Sequence, residues 1–502
     1  MAQGVRSLVW FRSDLRVTDN TALFEACRRA GGASGKGVVA VFLISPGEWA
    51  AHDFAPIKVD FILRSLAVLS ADLSKLNIPL LIETAKTPRE IPGVLVALAK
   101  KHACDELHFN KEYEVNEAKR DAAVIDAFSA ARLKAHAHTD QICVEPGEIR
   151  TGEGRFFTVY SPFKRAFFKH WDKIGGCPTL AKPSRQAEIG VAPSPVPETH
   201  AASEPTGPSG RDHWRTRWPA GEHEAMKRLR QFCADSIVPY KDRRDFPGTD
   251  GTSMLSHHLA VGTISPRQCL EKGIEANLAA HSTGVGGLKG NPLENGSPGP
   301  VHWISEVLWR EFYVHVMVGF PRVCMHRAFQ VNTEAIVWND EPKLLEAWKQ
   351  GRTGVPIVDA GMRQLLRDGW MHNRVRMIVA MYFTKDYFLN WRLGEKFFMQ
   401  NLIDGFLASN NGGWQWSAST GTDAAPYFRI FNTYNQSEKF DPDGTYIREF
   451  VPELRGVQGP AIHDPEQLPG LLRSRLDYPK PLVDRVKARE KAIDAFRKLR
   501  PV

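Results

Sequence analysis

Residues 7–29 read SLVWFRSDLRVTDNTALFEACRR. SLVWFR (7–12) is an apolar run of strand length, DLRVTDN (14–20) is a polar turn that offers an N-cap, and 21–29 reads as a helix. The same unit recurs downstream. GVVAVFLI (37–44) is a second strand, 60–75 a helix with Ile62, Leu66, Leu69 and Leu73 on one face, and IPLLIE (78–83) a third strand. A helix over 92–102, a strand over 106–110 (ELHFN), a helix over 117–130 and a fifth strand over 135–144 follow. This alternation predicts an α/β domain built on a doubly wound parallel sheet. Such sheets bind ligands beyond the carboxyl ends of their strands. EYEVNE (112–117), just past the fourth strand, is therefore the expected ligand-facing loop. GGASGKG at 31–37 imitates a phosphate loop, but Ala30 stands where the pattern needs Gly and Gly37 where it needs Ser or Thr. It reads as a flexible turn.

The pattern then changes. Residues 175–212 hold seven prolines among Gly, Ser, Ala and Thr, a composition that builds no core and stays extended or disordered. A second Gly- and Pro-rich insertion, 281–300, reads as an exposed loop. From Trp214 onward the segments 222–232, 265–276, 301–318, 341–350, 357–368, 374–386, 391–402 and 482–499 read as helices with no strand between them. The expected organisation is an α/β domain over 1–145, an interdomain linker over 146–213 and an all-α domain over 214–502.

With 502 residues, 43% hydrophobic and 24% charged, the chain is of soluble globular type and long enough for two or three domains. No apolar run reaches membrane-spanning length, and MAQGVRSLVWFRSDLRV shows no secretory signal. The seven cysteines are scattered without a C-x-x-C, which predicts a reducing compartment, no disulfide framework and no zinc site, and no metal is expected. The net charge of +8 permits a polyanionic partner. Eight of the 13 tryptophans lie between Trp303 and Trp416, so the C-terminal half has an aromatic core or an aromatic-lined site.

Four stretches carry candidate chemistry. NLIDGFLASNNGGWQWSASTGTDAAPYFRIFN (401–432) shows neither helical period nor strand alternation. It reads as a surface loop or as the lining of a pocket for something large, flat and polar, and its two tryptophans favour the lining. In YKDRRDFPGTDGTSMLS (240–256), Thr252, Ser253 and Ser256 put hydroxyl and backbone donors before a helix, either as a phosphate seat or as a capping run. In VHWISEVLWR (301–310), Trp303, Glu306, Trp309 and Arg310 share one helix face, either a cavity wall or an ion pair beside core tryptophans. In WMHNRVRM (370–377), Asn373, Arg374 and Arg376 suit base edges and phosphates, or form a solvated basic face. Asp404 could bond a ribose hydroxyl, and Arg376 could balance a flavin or phosphate charge. No acid–base or nucleophile signature stands out, so in an enzyme a cofactor would carry the chemistry.

The residues then become recognisable. LVWFRSDLRVTDN (8–20), GTSMLS (251–256), WREFY (309–313), GMRQL (361–365), GWMHNRVRM (369–377), DGFLASNNGGWQWSASTGTDAAPYFRIFN (404–432) and KFDPDGTYIREFVPEL (439–454) span nearly the whole chain. It resembles the DNA photolyase/cryptochrome family, and within it the class I cyclobutane pyrimidine dimer photolyases. The resemblance implies an N-terminal α/β domain, a long linker and a helical domain holding FAD. It assigns Tyr240, Thr252, Ser253, Met254, Leu255, Ser256, Trp303, Arg310, Asn373, Arg376, Asp404 and the position of Phe406 to the flavin, with Asn410 facing its N5. Trp414, Trp391 and Trp338 match an electron relay to the surface. Glu306, Trp309, Asn373, Arg374, Met377 and Trp416 match a pocket for a flipped dimer, and Arg244 and Gln436 match DNA contacts.

The implied activity is light-driven repair of UV-damaged DNA by one-electron transfer from reduced, anionic FAD. The enzyme would be a carbon–carbon lyase, a monomer, in a bacterial cytoplasm or in a eukaryotic nucleus or organelle. His52, Asn116, Glu117 and Cys324 resemble the pattern for a methenyltetrahydrofolate antenna, with a deazaflavin or no antenna as alternatives. Two positions depart from the family: Phe406 stands where most class I relatives carry an acidic residue, and Met325 where a basic one is expected beside Cys324. Rival readings are a cryptochrome photoreceptor, opposed by Asn410, the intact lesion set and the lack of a long C-terminal tail, and a (6-4) photolyase, opposed by Met377, where a histidine is expected.

Overall fold

The computed structural model describes residues 4–31, 35–205, 207–281 and 290–499. The turn expected at 31–37 and the loop expected at 281–300 lie partly outside them. By packing, the chain divides into two compact units. The first comprises Met1–Glu204, Trp218–Val238 and Ser253–Pro321; the second comprises Pro205–Arg217, Pro239–Thr252 and Arg322–Val502.

The first unit is built on strands β1 (Ser7–Phe11), β2 (Val38–Ile44), β3 (Leu80–Thr84), β4 (Glu106–Asn110) and β5 (Lys134–His138). All pairings are parallel, in the order β3-β2-β1-β4-β5. β1, β2 and β4 are buried along their whole length, which is why they read as unbroken apolar runs. The crossovers carry the helices Thr21–Arg29, Pro56–Ser74, Ile91–Lys101 and Val115–Ala130. Asn20 caps the first of these as read, its side chain accepting from the Leu23 N–H at 3.0 Å. β5 is shorter than the expected 135–144. Beyond it, the Cys143 and Val144 N–H groups donate to the Glu311 carboxylate at 3.0 and 2.9 Å instead of to a ladder. A short helix, Pro46–Ala51, was not legible in the sequence.

The segment expected to be a linker holds an ordered helix, Tyr160–Ile174, closed by Gly175 at φ +75°. It buries Tyr160, Phe163, Phe167 and Phe168 on one face. The Pro-rich stretch that follows is extended, and it is bonded to the sheet edge. The Gln186 side chain bridges Val38 N–H (2.7 Å) and Val38 C=O (3.0 Å), and the Ser194 N–H donates to Leu80 C=O at 2.8 Å.

Helices Glu222–Asp235, Ser256–Val261, Pro266–His281 and Pro298–Gly319 pack in the same unit. Buried charges tie them to the loop after β1. Arg267 binds Asp19 (3.0 Å) and Asp140 (2.8 Å), Arg16 binds Asp140 (2.5 Å), and the Val17 N–H donates to Glu222 at 2.8 Å. Each of these charges would be costly to bury unpaired.

The second unit is helical, as expected. Its core gathers Trp348, Leu365, Val379, Trp391, Trp414 and Tyr446 from the helices Pro342–Lys349, Pro356–Asp368, Asn373–Met381, Trp391–Met399, Leu407–Ala418 and Thr445–Phe450, together with Tyr382 and Phe383. A π-helical turn, Tyr382–Asp386, follows Asn373–Met381. One expectation needs correction: residues 407–418, read as lacking a helical period, form a helix. An apolar period appears only when one helix face meets water. This helix is buried on several sides by polar groups that satisfy one another. Asn411 donates to Glu395 Oε1 (3.1 Å), Gln415 donates to Asn411 Oδ1 (2.8 Å), and Gln415 accepts from the Phe329 N–H (2.8 Å).

Candidate functional site

In the first unit the topological switch point lies between β1 and β4, where a ligand crevice is expected. The protein fills it with its own side chains. Arg12, directly after β1, binds Asp121 (2.6 Å), donates to the Asn110 carbonyl and lies 4.3 Å from the Trp10 ring. Arg120 lies 4.9 Å from the same ring and pairs with Glu48 (2.5 Å), Glu112 (2.7 Å) and Asp121 (2.9 Å).

Asn116 and Glu117, at the end of the expected loop, meet His52, which follows the helix Pro46–Ala51. His52 Nδ1 meets Glu117 Oε1 at 3.0 Å, and Asn116 Nδ2 lies 3.2 Å from His52 Nε2. The Glu117 carboxylate raises His52 above its ordinary pKa. Burial, helped by Glu117 and Glu112, pushes Glu114 up to about 7. Against its own burial, Arg12 and Arg120 hold Glu112 down to about 2. Among the described residues, Glu48–His52–Glu117 and Glu106–His108–His136 are donor sets close enough to hold a metal ion. Both already carry a cation, Arg120 on Glu48 and Arg29 on Glu106 at 2.8 Å.

The helix Pro298–Gly319 carries Trp303, Glu306, Trp309 and Arg310. Trp303 is buried against Phe232, with ring centroids 5.3 Å apart, and Glu306 is half-buried. Arg310 donates to the Gln141 carbonyl at 2.5 Å, and burial lowers its pKa. Trp309 stacks face to face on Tyr160 at 3.7 Å and 12°, while the Tyr160 hydroxyl donates to the Ser305 carbonyl at 2.6 Å. Tyr160 was missed in the sequence because its segment read as linker; the aromatic period Tyr160–Phe163–Phe167 was the available signal. In GTSMLS, the Ser253 carbonyl accepts from Arg228 (2.9 Å) and Met254 adopts φ +49°. Leu255 stands at the N-cap of Ser256–Val261 without a side-chain capping bond.

In the second unit Arg376 is held by Asp404 (2.8 and 3.1 Å) and by the Met371 carbonyl (2.7 Å). Phe406 occupies the N-cap of Leu407–Ala418, where a carboxylate would cap and a phenyl cannot. One turn in, Asn410 donates to the Glu395 carbonyl at 3.0 Å. Trp414 packs directly over Gly394; a Cβ there would lie 2.1 Å from Cη2 of the indole. Gly394 is three residues along the helix that Trp391 opens. Trp414 and Trp391 are fully buried, whereas Trp338 is half-exposed, 5.0 Å from the Phe388 ring. A bridge from Asn339 to Leu389 ties that segment to the start of the Trp391 helix.

Arg374 and Arg244 share one partner, Asp245, at 2.9 and 3.7 Å. Arg244 also lies 5.4 Å from the ring of buried Tyr240. The sequence did not single out Asp245, because a pairing across this distance in the chain leaves no local pattern. Asn373 is exposed and Met377 half-buried on the same helix as Arg374 and Arg376. His372 caps that helix. Its Nδ1 accepts from the Arg374 N–H at 3.2 Å, and its buried Nε2 has no partner among the described residues. Burial lowers its pKa to about 4, so the ring is neutral and Nε2 carries a proton with no acceptor. Trp416 is half-buried near Phe431 (6.4 Å), Gln436 sits on the helix Thr433–Phe440, and Cys324 sits on the 3₁₀ turn Val323–Met325. Thr252 belongs to this unit by packing.

Comparison with known proteins agrees with both parts of the chain. The family model for DNA photolyase matches residues 7–184, and that for the FAD binding domain of DNA photolyase matches 303–498. The deoxyribodipyrimidine photo-lyase of Neurospora crassa is 42% identical, covering 97% of this chain and 81% of that protein. The enzyme of the same name from Salmonella typhimurium is 41% identical over 97% of this chain and 98% of its own length. A solved bacterial class III photolyase from Agrobacterium tumefaciens has a TM-score of 0.83 at 33% identity, covering 99% of this chain and 98% of that one. The tryptophans, the paired arginines and the parallel sheet thus sit in a chain that belongs to the DNA photolyase family.

Proposed function

We propose that this chain repairs cyclobutane pyrimidine dimers in DNA with light, as a class I photolyase. The observation that carries the reading is the helix Leu407–Ala418, which places Asn410, Trp414 and Trp416 on one element and packs Trp414 over the helix opened by Trp391. The residues suit FAD. In the second unit His372 keeps an N–H with no acceptor among the described residues, and Arg376 is a cation held in place by Asp404. These groups favour a ligand rich in anionic and carbonyl oxygens. When bound, reduced FAD supplies the light-excited electron that splits the dimer.

The chain's own residues do the rest. Arg376 and Arg310 balance negative charge, and Tyr240, Thr252, Ser253, Met254, Leu255 and Ser256 hold the phosphates and ribityl chain. Asn410, fixed by Glu395, accepts or donates a hydrogen bond without releasing a proton. Phe406 offers no hydrogen bond where relatives carry a carboxylate, so Asp404 serves alone. Trp414, Trp391 and Trp338 conduct electrons inward from the surface.

Photolyases take their target out of the stack, at a cost that is least for a damaged pair. By resemblance, Trp309 and Glu306 of the first unit and Trp416, Asn373, Arg374 and Met377 of the second are each assigned to the lesion, the two tryptophans by their apolar faces. Arg244 and Gln436 hold the flanking strand. Tyr160 fixes the plane of Trp309. Tyr160→Ala is expected to weaken binding of dimer-containing DNA by about fivefold, the worth of one stacked aromatic pair, with less effect on undamaged DNA and on Tyr160→Phe. Equal binding of the dimer by parent and Tyr160→Ala would remove this role.

The antenna is methenyltetrahydrofolate. In and around the filled switch-point crevice, Glu48, Glu112, Glu114, Glu117 and Asp121 stand against Arg12, Arg120 and His52. That excess of carboxylate suits a methenylpteridine cation, a charge that a deazaflavin lacks. The pH dependence follows in sign. As pH falls through about 7, Glu114 gains a proton, and His52, whose pKa is raised, gains positive charge. Both changes oppose a cation, so affinity should fall by on the order of fivefold between pH 8 and pH 6. Titration of the apoprotein by chromophore absorbance measures it; tighter binding at pH 6 excludes the cation argument.

The function as a whole is tested by illuminating the reduced protein with DNA carrying one cyclobutane dimer, and in parallel with a (6-4) lesion. Restoration of the first alone is expected. Restoration of neither supports a photoreceptor.

A further inference from the structure

Inward electron transfer through the relay leaves an oxidised Trp338, and its electron must be replaced from outside. Beside Trp338 the second unit has an open cavity of about 840 Å³, within the range of small-molecule sites. Its walls include Ile336, Val337 and Phe388, and Lys491, Lys498 and Asp494 line it from the C-terminal helix and the residues just after it. Val337, the immediate neighbour of Trp338, is 86% exposed and offers the cavity an apolar wall. Phe388 is both a wall of the cavity and the ring 5.0 Å from Trp338. Lys491 is positioned by Asn339, the residue on the other side of Trp338. Asp494 faces its own partner, Arg497, at 3.4 Å, which leaves the two lysines to set the charge of the groove.

An apolar floor, two ammonium groups and an adjoining oxidisable indole suit a planar reductant that carries phosphate. We infer that this groove binds a dihydronicotinamide dinucleotide and that Trp338 is re-reduced from it. The inference rests on the relay reading of Trp338. In the step, one electron passes from the dihydronicotinamide to the Trp338 radical cation. Trp338 returns to its neutral form, and the donor radical cation loses its ring proton to water. The resulting nicotinamide radical gives its remaining electron to dissolved dioxygen.

Flash photolysis of the protein with oxidised flavin tests this, using NADH as the probe and the neutral thiol dithiothreitol as the comparison. The decay rate of the tryptophan radical is expected to saturate with NADH, to be slowed competitively by NAD⁺, and to rise linearly with dithiothreitol. Lys491→Glu/Lys498→Glu and, separately, Val337→Asp should raise the half-saturating NADH concentration by about tenfold, with the thiol rate unchanged. Linear dependence on NADH, or variants indistinguishable from the parent, would overturn the groove while leaving the relay intact. Absence of any long-lived tryptophan radical in the parent, or an unchanged radical in Trp338→Phe, would instead overturn the relay reading.

Discussion

Trp391→Phe should cut photoreduction of oxidised flavin while sparing repair by enzyme that has been reduced chemically. Trp391 is fully buried and lies three residues before Gly394, on which Trp414 rests. Phenylalanine keeps most of the apolar contact but is far harder to oxidise than an indole. Raising that barrier by even a few kcal/mol slows the transfer by at least about tenfold. The measurement is the loss of oxidised-flavin absorbance under illumination with an external reductant. Photoreduction at the parent rate would take Trp391 out of the path. Gly394→Ala probes the same joint by geometry instead of redox chemistry. The new methyl would lie 2.1 Å from the Trp414 ring, forcing the indole aside at a cost of roughly 1–3 kcal/mol in stability. Photoreduction should fall with it, although every tryptophan is retained.

Local rules found the sheet because its strands β1, β2 and β4 are buried along their whole length and its turns cap helices with side chains such as Asn20. They failed where burial erased periodicity. The helix Leu407–Ala418 buries polar groups that satisfy one another through Glu395, Asn411 and Gln415, so its inward face carries no apolar stripe to announce it. Composition misled over the helix Tyr160–Ile174, whose Phe163, Phe167 and Phe168 lie just ahead of a Pro-rich run. The motif stretches were visible, but the joints between them were not. Gly394 under Trp414, Asp245 against Arg374, and Arg12 with Arg120 closing the switch crevice are all meetings of residues far apart in sequence. The roles of single tryptophans came from family resemblance; the structure adds how they are packed.

Glu306 and Tyr160 give opposite expectations from neighbouring positions, which makes them the sharpest test of the lesion pocket. Tyr160 acts through Trp309, so its loss should appear in affinity and vanish at saturating DNA. Glu306 is half-buried on the same helix face as Trp309 and Arg310. Its proposed hydrogen bond to the pyrimidine edge matters most once the dimer carries an extra electron, when the negative charge on the ring must be shared. A bond to a charged group is worth about 1.5–3 kcal/mol, so Glu306→Ala should lower repair per absorbed photon several-fold while changing the dissociation constant of dimer-containing DNA by less than about twofold. Glu306→Gln, which keeps an amide donor, should fall between. Quantum yield at saturating DNA and equilibrium binding separate the two quantities. If Glu306→Ala loses affinity in proportion to yield, the carboxylate binds the lesion equally before and after electron arrival. It would then act in recognition and not in bond splitting.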